Sequence, residues 1–253
     1  MSSPPWPSIE KDFAKRWTSF DDSDRGRVHA AQETMTLVPW RLKFFLSSNV
    51  PLLYHLAVNA GLRANSPEHW DARLAETWDD PVRHWPTKNA LIASRTTPTD
   101  VILDVGCGDG HMLRTLKSAG YQHLHGLEIS DYAVQRLRGD GIHMHKGKLP
   151  RIPLPDNTFD VVIASQVLEH VIRRRLFLKE IKRVLKPGGV ACIFVPDDCL
   201  GPIDEKEHVI CYNSGSLRAF LGKYFSSVEI ESMRDVNHVA PILYARVEKE
   251  AST

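Results

Sequence analysis

The sequence predicts an α/β fold: a seven-stranded, mostly parallel sheet closed by an antiparallel last strand, behind an N-terminal helical segment. Three observations carry this. After about residue 88, β-branched apolar runs alternate with amphipathic stretches of helix length, as in strand–helix units of a parallel sheet. The last two strand-like runs, Val228–Met233 and Pro241–Val247, are joined by a short link with no helix between them. Parallel neighbours need a long crossover, so this pair is expected to be antiparallel. Finally, Val101-Ile-Leu-Asp-Val-Gly-Cys-Gly-Asp-Gly110 reads as a buried strand that breaks into a tight turn and enters a helix.

The chain divides near residue 88. Residues 1–88 carry six tryptophans (Trp6, Trp17, Trp40, Trp70, Trp78, Trp85) and proline breaks at Pro39, Pro51, Pro67, Pro81 and Pro86, with no clean strand alternation. They are expected to form a helical cap, and residues 89–253 the core. In the core the expected strands are Val101–Val105, His123–Ile129, Ile142–His145, Phe159–Ser165, Val190–Pro196, Val228–Met233 and Pro241–Val247. Expected helices are His111–Ala119, Asp131–Gly139, Val171–Leu185 and Ser214–Tyr224, the third stopped by Lys186-Pro-Gly-Gly189. The basic residues of that third helix, Arg173 to Arg183, read as a solvated face.

A formal net charge of +1 over 253 residues gives no argument for a general nucleic-acid or anionic-membrane binder. The four cysteines, Cys107, Cys192, Cys199 and Cys211, form no C-x-x-C pair, so a reduced, cytoplasmic setting is expected. The first residues lack the basic-then-apolar layout of a signal peptide. The most apolar run, Leu37 to Leu62, is broken by Arg41, Lys43, Asn49, His55 and two prolines. It reads as a buried helical pair rather than a membrane span.

Gly106, Gly108 and Gly110 let a ligand approach the main chain closely, and Glu128 ends the next strand where such folds hold a ribose. A nucleoside-containing cofactor is therefore expected over the carboxyl edge of the sheet. A dinucleotide would want G-x-G-x-x-G, but the third glycine position is His111. Asp104 and Asp109 also flank the turn, and carboxylates suit a cation better than a pyrophosphate.

These residues resemble the class I S-adenosylmethionine-dependent methyltransferases. Asp104-Val-Gly-Cys-Gly-Asp-Gly110 is similar to their first motif, and Glu128 falls at their ribose-binding acid. Leu154 to His170 resembles their fourth-strand motif, and Leu178 to Gly189 the helix and turn that follow. The resemblance spans about residues 88–247 and implies a Rossmann-like, doubly wound sheet with a reversed final strand. It implies S-adenosyl-L-methionine held by Asp104, Gly106, Cys107, Gly108, Gly110, Glu128, Ile129, Ser165 and Gln166. One position departs from the pattern: Lys148 stands where the family has an acid that accepts the adenine amino group. Lysine only donates, so a backbone carbonyl must accept instead, or Lys148 points away and the Leu149 amide meets the ring.

For transfer to an oxygen or protonated amine, a base near neutral pKa is useful. His170, just past the fourth strand, is the first candidate, against a plain capping role for Glu169-His170. His208 is the second, on the long polar connection Asp197–Tyr212, where the His208-x-x-x-Tyr212 spacing resembles a substrate loop of small-molecule members. Asp197 could orient a hydroxyl or amine. Glu68-His-Trp-Asp71 resembles an aromatic-acid entry segment, which puts Trp70 at cofactor or substrate. In some quinone-pathway relatives a Glu-His pair helps bind a divalent metal, but Glu169 and His170 show no third ligand in sequence and no metal is assigned. His123, His125, His143 and His145 alternate on two strands, and an edge strand that solvates them explains the pattern without an ion.

The function expected is methyl transfer to a small molecule of the quinone-pathway-like branch, to oxygen first, with nitrogen or carbon next. The alternative is an RNA or protein methyltransferase, against which stand the missing basic appendage and Ser165-Gln-Val-Leu168 in place of an Asn/Asp-Pro-Pro-aromatic clamp. A cofactor-binding regulator without turnover is the reading from another class.

Overall fold

The computed structural model describes residues 65–197, 207–236, 238 and 240–251, with a few positions between 45 and 53. Most of the Leu37–Leu62 run, Trp6, Trp17, Trp40, Asp198 and Cys199 lie outside the described residues. Two helices precede the sheet, α1 (Pro67–Glu76) and α2 (Pro86–Arg95). The core then runs β1 (Val101–Val105), α3 (His111–Ser118), β2 (His123–Glu128), α4 (Asp131–Gly139), β3 (His143–Lys146) and β4 (Phe159–Ser165). It continues with α5 (Arg174–Val184), β5 (Leu185–Pro196), α6 (Ser214–Leu221), β6 (Ser227–Met233) and β7 (Ile242–Glu248). α2 runs without interruption through residue 88.

The seven strands lie in the order β3-β2-β1-β4-β5-β7-β6. Pairing is parallel from β3 to β5. β7 is antiparallel to both β5 and β6, the expected reversed strand. β1 sits between β2 and β4, so the chain leaves in opposite directions on its two sides and a crevice opens at the carboxyl ends there.

The central strands are apolar on both faces because helices cover both. Leu103, Val105, Val162 and Ala164 point into a core shared with Phe177, Leu178 and Ile181 of α5 and Leu217 of α6. Ile102, Val161 and Ile163 point the other way, against Ile92 of α2, Leu113 and Leu116 of α3 and Leu137 of α4. That is why the strands read as continuous hydrophobic runs.

Local chemistry sets the helix starts. Ser66 caps α1, its Oγ accepting from the His69 amide at 3.2 Å, with Pro67 at the first helical position. Ser130 caps α4 through the Ala133 amide at 3.1 Å, and Asn213 and Ser216 form a capping box on α6.

The third expected helix starts late, at Arg174 rather than Val171. Leu168–His170 is a short 3₁₀ turn instead, and the Glu169 carbonyl accepts the Val209 amide at 2.8 Å. That contact fixes the 3₁₀ turn, and residues 171–173 lead from it into the helix as a turn. Its stop signal also behaves differently: α5 ends at Val184 and the Lys186–Gly189 stretch joins β5 directly, with Gly188 and Gly189 exchanging amide–carbonyl bonds of 2.9 Å with Lys249.

Candidate functional site

A cavity of about 1120 Å³ opens at the carboxyl ends of β1, β2 and β4. At its first end the β1–α3 turn takes positive φ at Gly106 (69°), Gly108 (58°) and Gly110 (72°). Gly106 needs its missing side chain: a Cβ there would lie 2.8 Å from Val167 Cγ2. Its amide donates to the Leu127 carbonyl at 2.7 Å, which ties the turn to the neighbouring strand.

Glu128 organises this end. Oε2 accepts the Gly108 amide at 2.9 Å, while Oε1 accepts the Ile129 and Ser130 amides at 2.7 and 3.1 Å. Burial pushes its pKa up, and these three donors oppose that. Asp104 is 3% exposed, and its Oδ1 has no hydrogen-bond partner among the described residues. Burial, with Glu128 and Asp109 nearby, raises Asp104 to about 8 against the opposing pull of Lys88. Gln166 Nε2 is likewise buried with no partner among the described residues, and Gln166 holds φ 56° right after β4. Unsatisfied buried acceptors and donors on a cavity wall cost stability until a polar ligand meets them. The set is rich in carboxyl groups, and a positively charged ligand would favour their ionised form, so it suits such a ligand.

At the other end, His170 and His208 come together with ring centroids 4.9 Å apart, and Trp70 meets His170 edge-on at 5.6 Å. His170 Nδ1 lies 3.0 Å from the Glu207 carbonyl, which only accepts. The ring must therefore donate from Nδ1, leaving Nε2 unprotonated. Burial lowers His170 to about 4 and pushes His208 well below the usual histidine range, so both rings are neutral near pH 7. Glu169 is fully buried beside them, and one ligand atom from each of Glu169, His170 and His208 fits within 4.8 Å of the others. The third group that sequence did not reveal for Glu169-His170 is thus His208. A cation held by two imidazoles and one carboxylate would be a divalent transition metal rather than calcium.

α1 roofs this end. Glu207 Oε1 receives Arg73 Nη1 at 2.5 Å and lies 2.7 Å from His69 Nε2, while Asp71 Oδ1 accepts Ser130 Oγ at 2.6 Å and the Tyr132 amide at 3.1 Å. Burial raises the Glu207 pKa, but Arg73 and His69 more than offset it and hold the carboxyl below its usual range. A depressed folded value means that the stabilisation is complete above the unfolded carboxylate range and is lost as pH falls through the folded one. Glu207→Gln is expected to lower stability by about 0.5–1.5 kcal/mol at pH 7, the scale of a partly exposed ion pair. Urea unfolding should show that gap closing below pH 4; a gap that persists in acid would assign the effect to packing.

Of the residues expected from sequence, Asp104, Gly106, Cys107, Gly108, Glu128, Ile129, Lys148, Leu149, Ser165, Gln166, Trp70, His170 and His208 all line this cavity. Gly110, Asp197 and Tyr212 do not. Gly110 starts α3 against Leu137. Asp197 is buried near Ser232, whose Oγ donates to its Oδ2 at 3.4 Å. Tyr212 is 1% exposed and packs in the core against Phe220. The four alternating histidines also lie away from the cavity; His125 and His145 share a contact of 3.1 Å at the sheet edge. Sequence reasoning missed Arg83, Trp85, Lys88, Asn89 and Glu207, which also line the cavity. None belongs to a motif, and only the docking of the N-terminal helices and the 207–212 segment brings them there.

Residues 103–193 match the family model for a methyltransferase domain. These residues form a methyltransferase domain. A sterol 24-C-methyltransferase of Gibberella zeae is 35% identical over 101 residues, covering 37% of this chain and 27% of that protein. An uncharacterized methyltransferase of Schizosaccharomyces pombe is 34% identical over 163 residues, 57% of each. The chain therefore spans only about a quarter to about half the length of these curated relatives. A SAM-dependent methyltransferase of Aquifex aeolicus has the same fold, with a TM-score of 0.54 at 19% identity over 70% of this chain and 98% of that one. The methyl donor of such domains is S-adenosyl-L-methionine, and the carboxyl-lined glycine-turn crevice fits its cationic sulfur and nucleoside. No helix among the described residues is long and apolar enough to cross a membrane.

Proposed function

We propose that this chain transfers a methyl group from S-adenosylmethionine to a small-molecule acceptor, an oxygen before nitrogen or carbon, in the reducing cytoplasm. One observation carries the reading: a single cavity joins the acid-and-glycine crevice to a roofed end that holds two neutral imidazoles and Trp70. When bound, the cofactor supplies an already activated methyl group. The protein's work is therefore to bind, orient, exclude water and accept a proton.

In this reading Glu128 receives a ribose hydroxyl at the Oε2 acceptor site that its three amides leave open. Asp104, Gly106 and Gly108 hold the aminoacyl end, Ser165 and Gln166 flank it, and Ile129, Lys148 and Leu149 border the adenine. α1 acts as a lid, with Trp70 packed over the reacting end. His170 Nε2 accepts the acceptor's hydrogen and then its proton, and Glu207 favours the resulting imidazolium. His208 orients the acceptor beside it. Alignment of this kind supplies about 7–11 kcal/mol of barrier lowering when geometry is good.

Calorimetry with S-adenosylmethionine, followed by methyl-release assays on fractionated metabolite pools, tests the proposal. His170→Ala is expected to reduce turnover roughly 100-fold or more, with cofactor affinity little changed. Turnover unaltered across pH would leave His170 a structural residue. Binding with no turnover on any pool favours the regulator, and turnover on RNA or protein fractions alone favours the macromolecular methyltransferase.

A further inference from the structure

On the reading above, the amino-acid end of the methyl donor brings a carboxylate into a crevice walled by the carboxyl groups of Asp104, Asp109 and Glu128. A further carboxylate is destabilised there, by burial and by its neighbours, unless a cation stands beside the glycine turn. Arg83 is placed to be that cation: a Cβ on Gly108 would lie 3.2 Å from its Nη2. The other cations on the cavity wall are engaged or exposed. Arg73 is held by Glu207 at the acceptor end, and Lys88 Nζ donates to Ser165 Oγ at 2.8 Å. Lys148 and Arg173 are exposed.

Arg83 ends a short 3₁₀ turn, Pro81–Arg83, between α1 and α2. Its backbone is fixed on both sides. Its amide donates to the Asp80 carbonyl at 2.8 Å, and the next ring, His84, stacks on His111 of α3 with centroids 3.9 Å apart. The guanidinium, by contrast, is little used. Nη1 donates to Thr77 Oγ1 at 3.3 Å, and Nε faces Asp109 Oδ2 at 3.9 Å, too far for a hydrogen bond. Nε and that Oδ2 are both buried with no hydrogen-bond partner among the described residues. A guanidinium carries five N–H donors in a planar fork that matches a carboxylate, so most of this one's capacity is unused. The side chain is 23% exposed and lines the cavity.

We propose that Arg83 receives the α-carboxylate of the cofactor and makes the site selective for adenosyl ligands that keep their carboxylate. The inference rests on the methyl-donor reading. The ammonium and the carboxylate of that amino acid share one carbon and need partners of opposite charge. Arg83 supplies the cation, which leaves Asp104, with its unpartnered Oδ1, for the ammonium. Asp109 is the positioning residue. Its Oδ2 draws Nε, while its Oδ1 accepts the His111 amide at 3.1 Å and so ties the guanidinium to the start of α3. The Nη2 edge is left for the ligand, where a charge-assisted contact is stronger than a neutral one. An adenosyl thioether without the carboxylate keeps the ribose and adenine contacts and loses this one.

Competition calorimetry of the full chain with S-adenosylhomocysteine and its decarboxylated analogue tests this. The wild type is expected to bind the decarboxylated form roughly 10- to 100-fold more weakly, the scale of losing a hydrogen bond between charged groups. Arg83→Met should weaken S-adenosylhomocysteine by a similar factor and leave the decarboxylated form within about twofold. Arg83→Lys, which keeps the charge without the fork, should fall between. Equal weakening of both ligands by Arg83→Met would show a merely structural role and overturn the inference. So would equal or tighter wild-type binding of the decarboxylated form, which is the more positive ligand and the one that a carboxyl-lined crevice without a cation favours. If Arg83→Met misfolds, a crystal structure of the wild type with S-adenosylhomocysteine decides: a carboxylate within hydrogen-bond distance of Nη2 supports the assignment, and one held elsewhere overturns it. Each of these failures leaves the methyl-donor reading intact. Binding of neither S-adenosylhomocysteine nor S-adenosylmethionine removes that reading, and the inference with it.

Discussion

Glu128→Ala is expected to weaken S-adenosylmethionine binding by about 1.5–3 kcal/mol, the range for losing hydrogen bonds to a charged group. That is roughly a 10- to 150-fold rise in Kd. The structure adds a second loss, because the carboxylate is also the anchor of the crevice. Its two oxygens hold the amides of Gly108, Ile129 and Ser130, which join the glycine turn to the start of α4. Alanine leaves those amides without their acceptor at a site that is 5% exposed. The Tm should therefore fall even in the absence of cofactor. Glu128→Gln separates the two losses, since its amide oxygen keeps an acceptor for the turn but carries no charge to the ribose. The expected order of cofactor affinity is wild type, then Gln, then Ala, measured by calorimetry. Equal affinity in all three would remove Glu128 from the binding site.

Gly110→Ala should be the most damaging single methyl in the chain's first motif. Gly110 precedes α3 at φ 72°, and a Cβ there would lie 2.4 Å from Leu137 Cδ2. Leu137 is fully buried on α4, so it cannot move aside into solvent. Left-handed backbone costs a non-glycine residue about 1–2 kcal/mol, and overpacking a filled core adds about 1–3 kcal/mol. The sum predicts a loss of roughly 2–5 kcal/mol and a Tm drop on the order of 10 °C. Gly120→Ala is the control, because Gly120 also has positive φ (90°) but no atom within 4 Å of its would-be Cβ. Thermal unfolding should place Gly120→Ala well above Gly110→Ala. Equal losses would mean that Leu137 yields, and that backbone strain alone explains both.

The pair shows how far residue patterns reach. Gly110 was expected to touch the cofactor, yet its side-chain-free position serves the packing of α3 on α4. Tyr212 reads as a substrate residue by its spacing from His208, but lies in the core beneath α5 and α6. Spacing along a loop fixes neither which way a side chain turns nor which wall it meets. His170 and His208, by contrast, are 38 positions apart and share one end of the cavity, because the Glu169 carbonyl takes the Val209 amide and pulls the segment back over the turn.

The sequence by itself determined the strand–helix alternation, the reversed last strand, the acid-and-glycine crevice and the acid that closes β2. Each of these is local: backbone freedom at glycine, apolar runs buried on both faces, and a link too short for a crossover. Only the tertiary structure decided which charges share the cavity. Lys88, Arg83 and Glu207 come from segments without motifs, and the proton affinities of Lys88 and Asp104 depend on burial and on each other. Desolvation and Coulomb forces act through space, between groups that the chain order keeps far apart.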